Sequence, residues 1–395
     1  MANGDTGNQI GRPLTMDKWI TPDSAPPPPP EQQITQFPYL QRAVVIVNGM
    51  LYWEWESVQV RHAIGERPFF SGRFTCSEVE PAYPQRWAML RIRPGDEVTI
   101  YLDGYLALSG IVATRQVFFD AHTHSVEIQV AGKDSMMGHA AAVHKTGEFK
   151  NKPPEDIIKE VTKPFGINVQ QIGAAAGQKL DRFSIRPGER AGEVVERLAR
   201  MGGMWMTSNV QGDLVLMTTS IGGVGAFVEG VNILEGREVI HSLSASSNQT
   251  AAQQGPGNDQ KWGADPTHQR FTNESGPSDF SPGYMPRAFM NEIPGFAKDL
   301  LKTRARIENN ADDHNQIWVT VKVLGWQPAG GGGLYLRGAE YWVESPMLIM
   351  DRTLTAKVVT FNQDNSTGTT TTLELVNRLS GYSPANPGAE SGVHT

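Results

Sequence analysis

The chain has 395 residues, a length that suits two or three domains, with 35 Lys and Arg against 42 Asp and Glu. The net charge of −7 argues against a general DNA- or RNA-binding surface, which needs clustered basic side chains to neutralise phosphate. The single cysteine, Cys76, excludes an internal disulfide and any cysteine-based zinc cluster, and no apolar stretch approaches the roughly 18 residues of a membrane-crossing helix.

The N-terminal segment MANGDTGNQIG lacks a basic-then-apolar signal, so export is not expected. Residues 1–40 read as an extended arm with a run of prolines at 26–30. Such a segment cannot bury enough apolar area to offset its ordering entropy, and polyproline is already stiff, so the arm is expected to lie over a partner. Ile10, Leu14, Met16, Trp19 and Ile20 are the expected anchors, because a cluster with a tryptophan concentrates binding energy in a polar strip.

Residues 41–135 carry strand signals throughout. AVVIVNGMLYWEWESVQVRHAI reads as a hairpin turning at Asn48-Gly49, and DEVTIYLDGYLALSGIV as a second turning at Asp103-Gly104. Short strands at this spacing suggest a small barrel or sandwich, and a first β-barrel is expected. Residues 136–225 differ. Pro153 and Pro154 open a helix with Ile157, Ile158 and Val161 on one face, stopped by Pro164 and Gly166. A second helix places Val194, Val195 and Leu198 inward and ends at Gly202, and a hairpin follows around residues 209–212. This is a compact α/β insert.

Residues 226–378 return to strands and read as a second β-barrel, interrupted by a polar, Gly- and Pro-rich loop at 248–285 and a helix at 294–309 with Ala297, Leu300, Leu301 and Ala305 as its inner stripe. Residues 379–395 look like a flexible tail. VFFDAHTHSVEIQVAGKD (117–134) and VTFNQDNSTGTTTTLELVNR (359–378) share the order strand, polar tip, alternating strand and charged stop. The fold class is therefore mainly β with an α/β insert: two similar small barrels flanking it, preceded by the arm.

No nucleophile elbow, zinc-protease or phosphate-loop motif is present. His122 and His124 form an HxH pair at a hairpin tip without an acidic or cysteine partner nearby, which reads as solvated turn histidines. Cys76 reads as a small apolar strand residue. Trp53, Glu54, Trp55 and Glu56 alternate acids with tryptophans, as a carbohydrate-binding or carbohydrate-active protein would. The competing reading is a strand with an aromatic inner face and a charged outer one. Arg86, Arg91 and Arg93 are too few for a nucleic-acid footprint. No catalytic residue, metal or cofactor is expected.

The ordered strings SVQVRHAIGERPFFSGRFTC, RPGDEVTIYLDGYLALSGIVATR, VEIQVAGKDSMMGHAAAV, GEFKNKPPEDIIKEVTKPFGI and WMTSNVQGDLVLM resemble the baseplate hub proteins of Mu-like contractile-tailed phages, as does the closing VTFNQDNSTGTTTTLELVNR. The resemblance covers roughly residues 43–378 and leaves out the arm and the loop near 248–285. It implies a structural virion protein of the tail baseplate, assembled in the host cytoplasm. A homotrimer would present six similar barrels in a ring, with the tail tube or a tube initiator above, a central spike below and wedge proteins around. It would adapt a sixfold tube to a threefold spike, while viral DNA passes through the lumen without specific binding. Hubs of tailocin-like injection machines carry the same implication.

Overall fold

The computed structural model describes residues 42–52, 55–77, 92–120, 124–173, 179–244, 246–253, 269–274, 283–290, 316–328 and 332–377, with the isolated positions 259, 262, 263 and 305. The expected arm, the tail and the helix expected at 294–309, apart from Ala305, lie outside these residues.

The first part comprises β1 (Ala43–Val47), β2 (Met50–Tyr52), β3 (Ser57–Ala63), β4 (Phe70–Ser77), β5 (Glu97–Leu102), β6 (Tyr105–Phe119) and β7 (His124–Gly132). Asn48-Gly49 and Asp103-Gly104 turn with φ of 49°, 79°, 51° and 81°, the left-handed pairs that two-residue hairpins require. The strand expected to follow Gly49 divides in two. β2 stays on β1, whereas β3 leaves it and pairs with β4, burying Val58, Val60 and His62 on one face.

The insert holds α1 (Ser135–His139), β8 (Glu148–Lys152), α2 (Pro154–Thr162), β9 (Val169–Ile172), β10 (Leu180–Ser184), α3 (Ala191–Gly202), β11 (Trp205–Ser208) and β12 (Leu214–Met217). Pro154 opens α2 with Glu155 and Asp156 in its first turn, where acids suit the helix dipole. The backbone N–H of Arg190 donates to Glu193 at the start of α3, and Gly203, at φ 68°, closes it. The inward residues expected for both helices are buried, and the helices pack together.

The last part contains β13 (Ile221–Val228), β14 (Glu235–Ile240), β15 (Asn248–Gln253), β16 (Gln269–Glu274), β17 (Pro286–Met290), β18 (Ile317–Leu324), β19 (Ala339–Ser345), β20 (Met350–Asp364) and β21 (Gly368–Val376). The run expected as a loop at 248–285 contributes β15 and β16, which form a separate three-stranded sheet with β17. Backbone pairing needs no apolar side chains, which is why polar composition concealed these strands. Ala251 anchors the sheet with Phe271 and Phe289 against it.

The repeat read from the sequence extends much further in the structure. β3-β4-β7-β6-β5-β1 and β14-β18-β21-β20-β19-β13 follow one strand order. In each unit a strand of 15 residues returns as a strand of 9. The long strands carry matching bulges, between Val112 and Thr114 and between Ala356 and Val358. One difference is that β1 runs antiparallel to β5 whereas β13 runs parallel to β19. The units join where β3 pairs with β20, from Val358 opposite Ala63 to Asp364 opposite Ser57. A thirteen-stranded sheet results, and one core runs beneath it from Phe74 and Ile128 through Leu198 of the insert to Phe361 and Leu373.

Candidate functional site

Among the described residues, those singled out by sequence do not come together. Ile10, Leu14, Met16, Trp19, Ile20, Trp53, Glu54, Arg86, Arg91 and His122 lie outside the described residues. His124 opens β7 opposite Phe119, and Cys76 stands in β4 opposite Val126. The backbone N–H of Arg93 donates to Asp96 in the turn before β5. Trp55 packs tilted against Phe74, 4.4 Å between ring centres, and its indole N–H donates to the Tyr52 carbonyl at 3.0 Å. Its ring is thus spent on packing, and Glu56 lies on the exposed side of the chain. Among the described residues, no three His, Cys, Asp or Glu side chains are grouped to hold a metal.

What the fold does bring together is a buried polar junction of all three parts. His62 of β3 is stacked on Phe70 at 3.9 Å, and its Nε2 meets the Ala107 carbonyl at 2.8 Å. A carbonyl only accepts, so that nitrogen carries the proton. Burial first and Arg337 second hold the imidazole pKa down at about 3, so the ring is neutral at neutral pH. Arg337, from the approach to β19, lies over Phe70 at 4.7 Å. Its Nε donates to Thr207 at 3.2 Å, its terminal nitrogen donates to the Ser208 carbonyl, and Thr207 in turn donates to the Ala63 carbonyl at 2.8 Å. Burial lowers the Arg337 pKa to about 10, which leaves it charged. Asp134, after β7, accepts from the Phe69 N–H at 3.2 Å, and burial pushes its carboxyl up to about 6. Arg67 spans to Glu196 of α3 at 3.1 Å. These contacts fix three segments in one geometry.

The surface offers edges and tips. Val117, Phe118 and Phe119 near the end of β6 are 47%, 60% and 72% exposed. Their counterparts in β20 pair edge to edge with β3. Among the described strands, β14 is hydrogen-bonded on one side only, to β18. The β5–β6 turn is the polar Asp103-Gly104, whereas the matching β19–β20 turn, at 346–349, exposes Met347 and Ile349. Sequence reasoning passed over the Val117-Phe118-Phe119 run. Three consecutive apolar residues in a strand cannot all face one core, and that was the available signal. The Arg337 junction gave none, because its partners are remote in sequence.

Known proteins place this geometry. Residues 42–134 match the family model of the N-terminal domain of the Mu phage baseplate assembly protein GpP-like family. Residues 136–218 match that of the second domain of gp44-like baseplate hub proteins. The baseplate hub protein gp44 of Escherichia phage Mu is 27% identical over 191 residues, covering 47% of this chain and 48% of the relative. The match thus spans about half the length of that curated relative. In fold, the 43 kDa tail protein of prophage MuSo2 from Shewanella oneidensis superposes with a TM-score of 0.71 at 18% identity, over 87% of this chain and all of that one. A tail protein from Neisseria meningitidis MC58 gives 0.69 at 16% identity, over 87% of this chain and 100% of that one. The chain resembles the baseplate hub and tail proteins of Mu-like phages, as the sequence strings implied. It is mainly β, and no helix among the described residues is long and apolar enough to cross a membrane.

Proposed function

We propose that this relative of the Mu-like baseplate hub proteins is a structural hub of a phage tail baseplate. Three copies form a ring of six similar β units, each chain contributing two barrels built on its two strand repeats. The ring docks on a sixfold tail tube or its initiator, holds a threefold spike below and meets wedge proteins around it. The observation that carries this reading is the shared six-strand order of the two units, with bulges at matching positions. A duplicated unit gives a trimer six near-equivalent docking surfaces. The unlike turns at 103–104 and 346–349 favour threefold differences on the same ring. The excess of acidic residues suits a lumen that passes DNA without retaining it.

The reading assigns no reaction and no cofactor to the chain. The arm at 1–40 serves as a strap over a neighbouring subunit, anchored by Ile10, Leu14, Met16, Trp19 and Ile20. Native mass spectrometry of the full chain tests the ring: a trimer is expected, and a stable monomer or dimer at all concentrations overturns it. A chain lacking residues 1–40 is expected to trimerise and fail to join particles. Wild-type incorporation would remove the arm from the proposal.

A further inference from the structure

The corner where β13, β19 and β20 meet presents a tryptophan that the described chain leaves uncovered. Trp342 on β19 lies beside Ala226 of β13 and Thr353 of β20, and it is 41% exposed. Among the described residues, no ring contact or hydrogen bond engages its indole. In the first unit the outer edge of β1 is covered by β2. β13, at the same place in the second unit, pairs only with β19 among the described strands.

The floor next to this ring is bare backbone. β13 begins Ile221-Gly222-Gly223. A Cβ at Gly222 would meet nothing within 4 Å, and one at Gly223 only the Glu340 carbonyl oxygen at 3.9 Å. Neither glycine has a left-handed φ. Packing among the described residues therefore gives no reason for glycine here, and glycine within a strand otherwise marks where another backbone comes close. Towards the turn, Glu344 stands opposite Asp351, both exposed, so an anionic ligand is repelled.

We infer that the proline run Pro26–Pro30 of the same chain docks on Trp342. Those residues lie outside the described ones, and their chemistry and their distance along the chain from Arg42 support the assignment. Five prolines in a row favour a polyproline II helix, stiff before it binds, with carbonyls and no N–H. Such a segment cannot extend β13 as a strand. It can lay its rings on an indole face and accept a hydrogen bond from the indole N–H. The run itself is uncharged, so Glu344 and Asp351 do not oppose it.

The reach fits. The Ala43 N–H donates to the Gln363 side chain at 2.9 Å, which places the start of β1 at the distal end of β20. From Gln363 back to Thr353, opposite Trp342, is ten residues of strand, about 33 Å. From Arg42 back to Pro30 is twelve residues, about 40 Å when extended. The run therefore reaches Trp342 of its own chain with little slack, and residues 1–25 stay free to act as the strap. This docking is independent of the ring reading.

The test is a disulfide within the full chain carrying Cys76→Ser, pairing Pro28→Cys with Ala226→Cys. Pro28→Cys with Val143→Cys is the control, because Val143 is 82% exposed on the insert. Non-reducing gels and peptide mapping are expected to show the link between positions 28 and 226 inside single chains, forming roughly tenfold faster than the control because docking raises the local concentration. Trp342→Ala, or replacement of Pro26, Pro27, Pro29 and Pro30 by Ser, is expected to slow it to the control rate. The proline variant changes only the arm, so it serves even where the tryptophan variant fails to fold. A rate equal to the control, or one that neither replacement changes, overturns the docking. A link found only between chains overturns the same-chain assignment and gives the run to a neighbouring copy.

Discussion

The guanidinium of Arg337 stands 4.7 Å from the centre of the Phe70 ring, so the approach to β19 in the second unit is fixed on a strand of the first. The same side chain reaches Thr207 and Ser208 of the insert. One cation thereby ties three segments, which explains how two repeats and an insert share a single core.

Replacing Arg337 with Met should keep much of the volume and lose the hydrogen bonds. The Ser208 carbonyl would lose a donor, at a cost of about 1–3 kcal/mol, and the ring contact would add about 1 more. Urea unfolding is expected to show the loss as a lower midpoint with an unchanged slope. An unmoved midpoint would mean that the junction contributes no stability.

His62 and Asp134 give the junction a pH signature of opposing signs. The folded pKa of His62, about 3, is below the ordinary 6.5, so its neutral form is the one the fold accepts. Its contribution is full above pH 6.5 and declines on acidification towards 3, by about 1.4 kcal/mol per unit. Asp134 is raised from 3.8 to about 6, so its contribution is full below 3.8 and is lost as pH rises through 6. Between roughly pH 4 and 6 the two offset each other. Thermal melts of Asp134→Asn should therefore fall more steeply than wild type from pH 6 to 4, and those of His62→Gln less steeply. Parallel profiles for all three proteins would contradict both assignments.

Gly110 on β6 offers a test of backbone crowding. A Cβ there would lie 2.2 Å from the Ala131 carbonyl oxygen of β7, a backbone atom that cannot swing aside. Gly110→Ala should cost about 3 kcal/mol or more, above the usual range for overpacking a core. Gly104→Ala meets no neighbour and carries only the strain of φ 81°, so it should cost about 1 kcal/mol. Chemical denaturation of both variants checks the ranking, and equal losses would refute it.

Local signals made much of this fold legible. Asn48-Gly49 and Asp103-Gly104 specify hairpins through backbone preference, and the buried stripes of α2 and α3 follow from spacing alone. The split between β2 and β3 was hidden because alternation in sequence does not say which strand a segment pairs with. β15 and β16 were hidden because Gln, Asn and Thr strands hold together by backbone bonds. The His62–Arg337 junction and the relation of β3 to β20 depend on contacts between residues hundreds of positions apart, for which one sequence offers no local mark. The repeat was visible at 117–134 and 359–378, but its strand order needed the pairing itself.

The β15–β16 connection tests how far that separate sheet depends on the polar run inside it. Gln253 pairs with Gln269 at the end of the ladder, so the two strands can be rejoined there by a two-residue turn. Replacing residues 254–268 with Asn-Gly removes a long closure, and shortening a loop lowers its entropic cost by only a fraction of a kcal/mol to about 1 kcal/mol. The contacts that seat the sheet, Ala251 with Ala305 and the flanking Phe271 and Phe289, are kept. The shortened chain should therefore be soluble and keep the oligomeric state of wild type, with a thermal midpoint within a few degrees of it. Because the sheet that carries this run is seated on its own small cluster, any assembly role of the run should show as lost incorporation into particles with no loss of folding. Insoluble protein, or a midpoint lowered by tens of degrees, would show instead that residues 254–268 are part of the folded unit and not an excursion from it.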